Sequence, residues 1–85
     1  MLQVICTVRD AAADVYGRPF FTVSQAVAIR TFSDEVNNSE NGNQMNAHPK
    51  DFALYEIGTY DDSNAKMELL EAPKLLIQAD QCITA

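Results

Sequence analysis

The 85-residue sequence has no tryptophan, one histidine, two cysteines and three glycines. Two cysteines do not make a disulfide scaffold. The lone histidine, His48, precedes a proline and lies in no CxxC, HxH or calcium-loop pattern, so neither a metal centre nor a Cys–His nucleophile has support from spacing. Gly17, Gly42 and Gly58 are scattered and form no phosphate cradle. No metal, cofactor or catalytic role is therefore expected. Apolar runs are a few residues long, far short of the ~20 needed for a membrane-crossing helix. Met1-Leu2-Gln3-Val4-Ile5-Cys6 lacks the basic start and long apolar stretch of an export signal, so a reducing cytoplasm is expected, with Cys6 as a small core residue.

Basic residues are also scarce. Six Lys+Arg face twelve Asp+Glu, for a net charge of -6. The imbalance is uneven. Residues 1–33 hold Arg9, Arg18 and Arg30 against Asp10 and Asp14, a net of +1; residues 34–85 hold three lysines against ten acids, a net of -7. Local field governs binding more than total charge does. Hydrophobic residues make up 47%, enough for a folded core and too many for a disordered chain. The length allows one domain, residues 1–85. A domain this small leaves apolar or strand-edge surface uncovered, and a second copy is the simplest cover, so a homodimer is expected.

Leu2 to Val8 alternates as a strand, with Ile5 on the second face. Arg9 to Val23 reads as a connection in which Tyr16, Phe20 and Phe21 cap the core. Ser24 suits an N-cap, and Ile29, Phe32 and Val36 fall on one face of a helix that stops at Asn37-Asn38. Asn38 to Ala47 is polar and reads as a surface loop. Phe52 to Tyr60 is a second strand with a bulge signal at Gly58, and Asp61 to Asn64 turns into a third strand, Ala65 to Leu70. Pro73 suits the first position of a short helix, although Leu75, Leu76 and Ile77 could equally form a strand. The expected fold is α+β: a small β-α-β-β domain with one main helix packed on a three-stranded sheet and a short C-terminal helix.

Two kinds of partner fit these residues. Single-stranded nucleic acid needs cations for phosphates and flat rings for bases. Tyr16-Gly17-Arg18-Pro19-Phe20-Phe21 supplies both, with Arg9 and Arg30 as further cations, although Arg30 could instead pair with Asp34 at i+4. Alternatively, Asp51, Glu56, Asp61, Asp62, Glu68 and Glu71 along the hairpin could face a basic protein partner.

Three blocks, Arg18-Pro19-Phe20-Phe21, Ala28 to Asn37, and His48 to Asp62, together resemble the small nonstructural protein of gokushovirus-type microviruses, tailless phages with circular single-stranded DNA. The resemblance runs from about Val8 to Pro73. It implies a phage accessory protein of the host cytoplasm, associated with single-stranded DNA replication or packaging and often described as DNA-binding, with no agreed catalytic residues. Two departures stand out: Asp62-Ser63-Asn64-Ala65-Lys66 replaces a turn where relatives commonly place glycine, and the tail after Pro73 matches weakly. Once core-type residues are set aside, Arg18, Arg30, His48 and Lys50 remain as polar site candidates. Arg9, Tyr16 and Phe20 join them, the two rings as stacking groups. A phage or host protein is the competing partner.

Overall fold

A computed structural model describes residues 1–84. The chain runs β1 (Leu2–Asp10), β2 (Val15–Tyr16), β3 (Phe20–Thr22), α1 (Gln25–Val36), α2 (Gln44–Ala47), a 3-10 turn (Pro49–Asp51), β4 (Phe52–Asp61), β5 (Lys66–Gln78) and a second 3-10 turn (Ala79–Gln81). This corrects the expected three-stranded α+β fold. The protein is mostly β, 44% strand against 26% helix, with a curled antiparallel half-barrel sheet and one main helix. The strands run in the order β2-β1-β4-β5, with β3 also paired to β1.

The first departure lies in the supposed connection after β1. Asp10 accepts hydrogen bonds from the Ala12 and Ala13 N–H groups. Asp14 then takes a positive φ of 56°, closing a tight loop and sending the chain back along β1. Arg9 pairs with Tyr16 and Cys6 with Phe20. Four steps on the returning chain thus oppose three on β1. β2 and β3 are in effect one strand, interrupted by a bulge at Gly17-Arg18-Pro19. The Gly17 N–H donates to the Val8 carbonyl at 2.8 Å, and Thr7 Oγ1 donates to the Gly17 carbonyl at 2.9 Å, pinning the bulge to β1.

The second departure lies after Pro73, where no helix forms and β5 continues to Gln78. A proline lacks a ladder donor and is tolerated in edge strands and bulges. Here it has both. β5 is an edge strand, and Glu56 pairs with Lys74 while Gly58 pairs with Leu69, so residues 70–73 swing out opposite Ile57 alone. The bulge signal at Gly58 marks this place. A Cβ on Gly58 would meet the Glu68 carbonyl oxygen at 2.3 Å.

α1 follows the expected bounds. Ser24 accepts from the Val27 N–H, and Ala28, Phe32 and Val36 are buried. They pack on Cys6, Leu54, Ala79 and Cys82, with Val4, Val8, Phe20, Ile29 and Phe52 around them. Both cysteines are reduced within this core. Burial, reinforced by the negative charge of Glu56, pushes the Cys6 thiol up to about 11, which keeps it protonated and inert. The polar stretch after α1 is more ordered than its composition suggests. The Asn37 side chain donates to the Ser33 carbonyl, that of Asn43 to the Glu35 carbonyl and that of Asn46 to the Val36 carbonyl, so asparagine amides fasten the following segment to the last turn of the helix.

The β4–β5 hairpin repeats the loop design of the first hairpin. Asp61 accepts from the Ser63 N–H, and Ala65 sits at φ 61°. An L-residue with a Cβ is strained there, and glycine is not. Ala65→Gly is expected to stabilise the protein by about 0.5–1 kcal/mol, after the extra freedom glycine gives the unfolded chain is subtracted. At about 4–8 °C per kcal/mol, thermal denaturation should show a rise in Tm of roughly 2–8 °C. An unchanged or lower Tm would contradict the strain.

Candidate nucleic-acid interface

α1 and the C-terminal 3-10 turn bury one face of the sheet, the face of Cys6 and Leu54. The register defines what lies on the other. β1 contributes Gln3, Ile5, Thr7 and Arg9; β4 pairs Tyr60, Gly58, Tyr55 and Ala53 with them. Tyr16 and Phe21 extend the face on the β2–β3 side, and Met67, Leu69 and Leu75 on the β5 side. Among the described residues no helix lies in the core cluster's position on this second face. Ile5 and Thr7 are nonetheless buried, shielded within the sheet by their neighbours.

The open face holds two aromatic pairs. Tyr16 meets Tyr55 edge to face with ring centroids 5.6 Å apart, and Phe21 meets Tyr60 likewise at 5.3 Å. Their β1 partners, Arg9 and Ile5, are four residues apart, so the pairs are separated by about 13 Å along the sheet. Tyr16 and Phe21 are each close to half exposed. The Arg9 guanidinium carbon lies 5.9 Å from the Tyr16 ring centroid. Arg9 Nη2 also pairs with Asp14 Oδ1 at 2.6 Å. That carboxylate is on the exposed hairpin loop, so this is a solvent-screened pair of small energetic weight. Among the residues that the strand register places on this face, Arg9 alone is charged. Two carboxylates border the face, Asp14 at Arg9 and Asp62 at Gln3.

The sequence candidates divide between the two sides. Arg9 and Tyr16 share the open face, and Arg18 is exposed in the bulge beside Tyr16. Phe20 pairs with Cys6 on the helix side and packs against the core, whereas its neighbour Phe21 is the ring on the open face. Arg30 is exposed on α1, on the covered side, and forms no ion pair with Asp34 among the described residues. His48 and Lys50 are exposed around the 3-10 turn before β4; His48 lines a shallow groove with Asp10, Gln44 and Asp51, at the Arg9 end of the sheet. The structure thus joins Arg9 and Tyr16, adds Phe21, Tyr55 and Tyr60, places Arg18 exposed in the adjoining bulge, and leaves Phe20 and Arg30 on the opposite side.

One of the hairpin acids is withdrawn from the surface. Glu56 is buried and accepts a hydrogen bond from the Gln25 amide. Asp62 accepts from the Met1 ammonium at 2.8 Å and from Gln3 at 3.1 Å, and these bonds hold its carboxyl below the usual carboxylate range. The Ser63 hydroxyl and N–H do the same for Asp61. No group of metal-ligating side chains occurs among the described residues. No helix among them is long and apolar enough to cross a membrane.

A family model described as Phage ORF5 protein matches residues 3–82. The chain belongs to that family. No curated protein and no solved structure matches it.

Proposed function

We propose that this phage accessory protein is a non-enzymatic, weak binder of single-stranded DNA that receives the strand across its open sheet face. The observation that carries the reading is the composition of that face: two aromatic pairs about 13 Å apart, Arg9 at one end with Arg18 exposed in the adjoining bulge, and no carboxylate among its register-paired residues. Unpaired bases stack on aromatic rings with little regard to sequence, whereas duplex bases are already stacked on one another. Tyr16 and Phe21 have the exposure to receive bases, Tyr55 and Tyr60 orient them from behind, and Arg9 and Arg18 meet phosphates. His48 and Lys50 lie at the Arg9 end, where a strand leaving the face would pass. Arg30 lies outside this path. The resemblance of the sequence blocks to gokushovirus-type proteins supports single-stranded DNA as the polymer.

Few cations mean modest affinity and measurable salt dependence. With two phosphates neutralised per chain, the single-strand relation gives about a fivefold loss of affinity on raising salt from about 50 to 150 mM. Fluorescence anisotropy with a labelled oligothymidine should show saturable binding at the lower salt and this loss at the higher. No binding at the lower salt with protein in large excess would overturn the proposal.

A further inference from the structure

β5 is the outer strand of the sheet, and residues 66–75 are all exposed. They include Met67 at 55% and Leu69 at 69% exposure, with Leu70 and Leu75 close to half exposed. A long edge with unpaired backbone groups and apolar side chains is a template for another strand. Its charges favour a second copy of itself. The order is Lys66, Glu68, Glu71, Lys74, so this stretch is neutral within a chain of charge -6. The register puts Met67, Leu69 and Leu75 on the open face, and Glu68 and Lys74 on the helix side.

We propose that the protein forms a two-fold dimer by antiparallel pairing of β5 with β5 of a second copy, centred at Glu71. This register sets Met67 opposite the second copy's Leu75 on the open face, and Glu68 opposite its Lys74 on the other. Symmetry makes each pair occur twice. Centring at Glu71 also sets Glu71 against its own copy once, at the axis; a two-fold centred one residue earlier would instead set Lys66 against Lys74 twice and lose both Glu68–Lys74 pairs, so the edge still favours the first register. Residues 70–73, which swing out from β4 opposite Ile57, lie at the centre of the contact; Pro73 falls opposite the second copy's Leu69, so the dimer requires Glu68–Lys74, and not Leu69–Pro73, to be the pair that exchanges backbone hydrogen bonds. The dimer joins two open faces into one continuous sheet surface. The inference stands apart from DNA binding, because its contacts are backbone and β5 side chains alone.

Sedimentation equilibrium without DNA tests it, with circular dichroism confirming that each variant is folded. Wild type, 9.4 kDa as a monomer, should sediment as a dimer at about 100 µM. Lys74→Glu places acid against Glu68 twice and should weaken association by about tenfold or more; the charge swap Glu68→Lys with Lys74→Glu should restore it to near wild type. In wild type, amide exchange over residues 66–75 should slow as concentration rises. A wild-type monomer at that concentration, an unaffected Lys74→Glu variant, or a charge swap that fails to recover would each overturn the proposal.

Discussion

Gly58→Ala is expected to cost about 2–3 kcal/mol, at the upper end of what overpacking a closely packed site costs. The added methyl would lie 2.3 Å from the Glu68 carbonyl oxygen and 3.0 Å from the Leu69 Cα. Both are backbone atoms, so no side-chain rotation relieves the contact. Strand β5 must draw away from β4 or the bulge at Ile57 must be rebuilt. A domain of this size has only a few kcal/mol in hand, so the loss should lower Tm by roughly 10–20 °C. Amide protection should fall first at residues 66–70, with α1 less affected. An unchanged melting curve would mean that β5 does not approach Gly58 as described.

Replacing Tyr16 and Tyr55 together by alanine should weaken oligonucleotide binding far more than it weakens the fold. Stacking of a base on an aromatic side chain is worth about 1–3 kcal/mol, so losing one stacking position and the ring that orients it should cost roughly ten- to a hundredfold in affinity. Tyr16 is nearly half exposed, which limits the stability lost with it. Phe20→Ala is the matched control. Phe20 lies on the covered side against the core, so its truncation should lower Tm while leaving the affinity of the folded fraction nearly unchanged. The reverse pattern, with Phe20 controlling affinity and the tyrosines inert, would move the interface to the helix side.

The elements with strong periodicity were legible from residues alone. β1 and β4 alternate, and α1 shows both its cap at Ser24 and its apolar spacing at Ile29, Phe32 and Val36. The strands after β1 were hidden because the bulge at Gly17-Arg18-Pro19 breaks their alternation, and because the reversal uses Asp10 and a left-handed Asp14 where a glycine would have signalled it. The continuation of β5 was hidden because Pro73 reads as a helix start; only its place opposite a bulge on an edge strand reconciles it with a sheet. The asparagines after α1 looked like loop composition because their partners, the last carbonyls of the helix, become adjacent only when the chain folds back.

Legibility of the interface was similarly divided. Arg9, Arg18 and Tyr16 could be found because cations and a ring lie close in sequence. Phe21, Tyr55 and Tyr60 do not stand out as candidates in the sequence because each also suits a core. The missing signal was one of layers. A single main helix can cover one face of a sheet, and Leu54 on β4 claims that face, so Tyr55 must point to the uncovered one. The same logic separates Phe20 from Phe21, whose neighbouring positions in a strand send them to opposite sides.

The central claim is that the uncovered aromatic face receives the nucleic acid. Titrating the isotope-labelled protein with a short oligothymidine at low salt, and following backbone and aromatic NMR shifts, tests it most directly. The account predicts perturbations concentrated at Arg9, Tyr16, Arg18, Phe21, Tyr55 and Tyr60, with α1 and the Asp62–Ala65 loop unmoved. Shifts centred on Arg30 and the exposed side of α1, or none at saturating oligonucleotide, would contradict it.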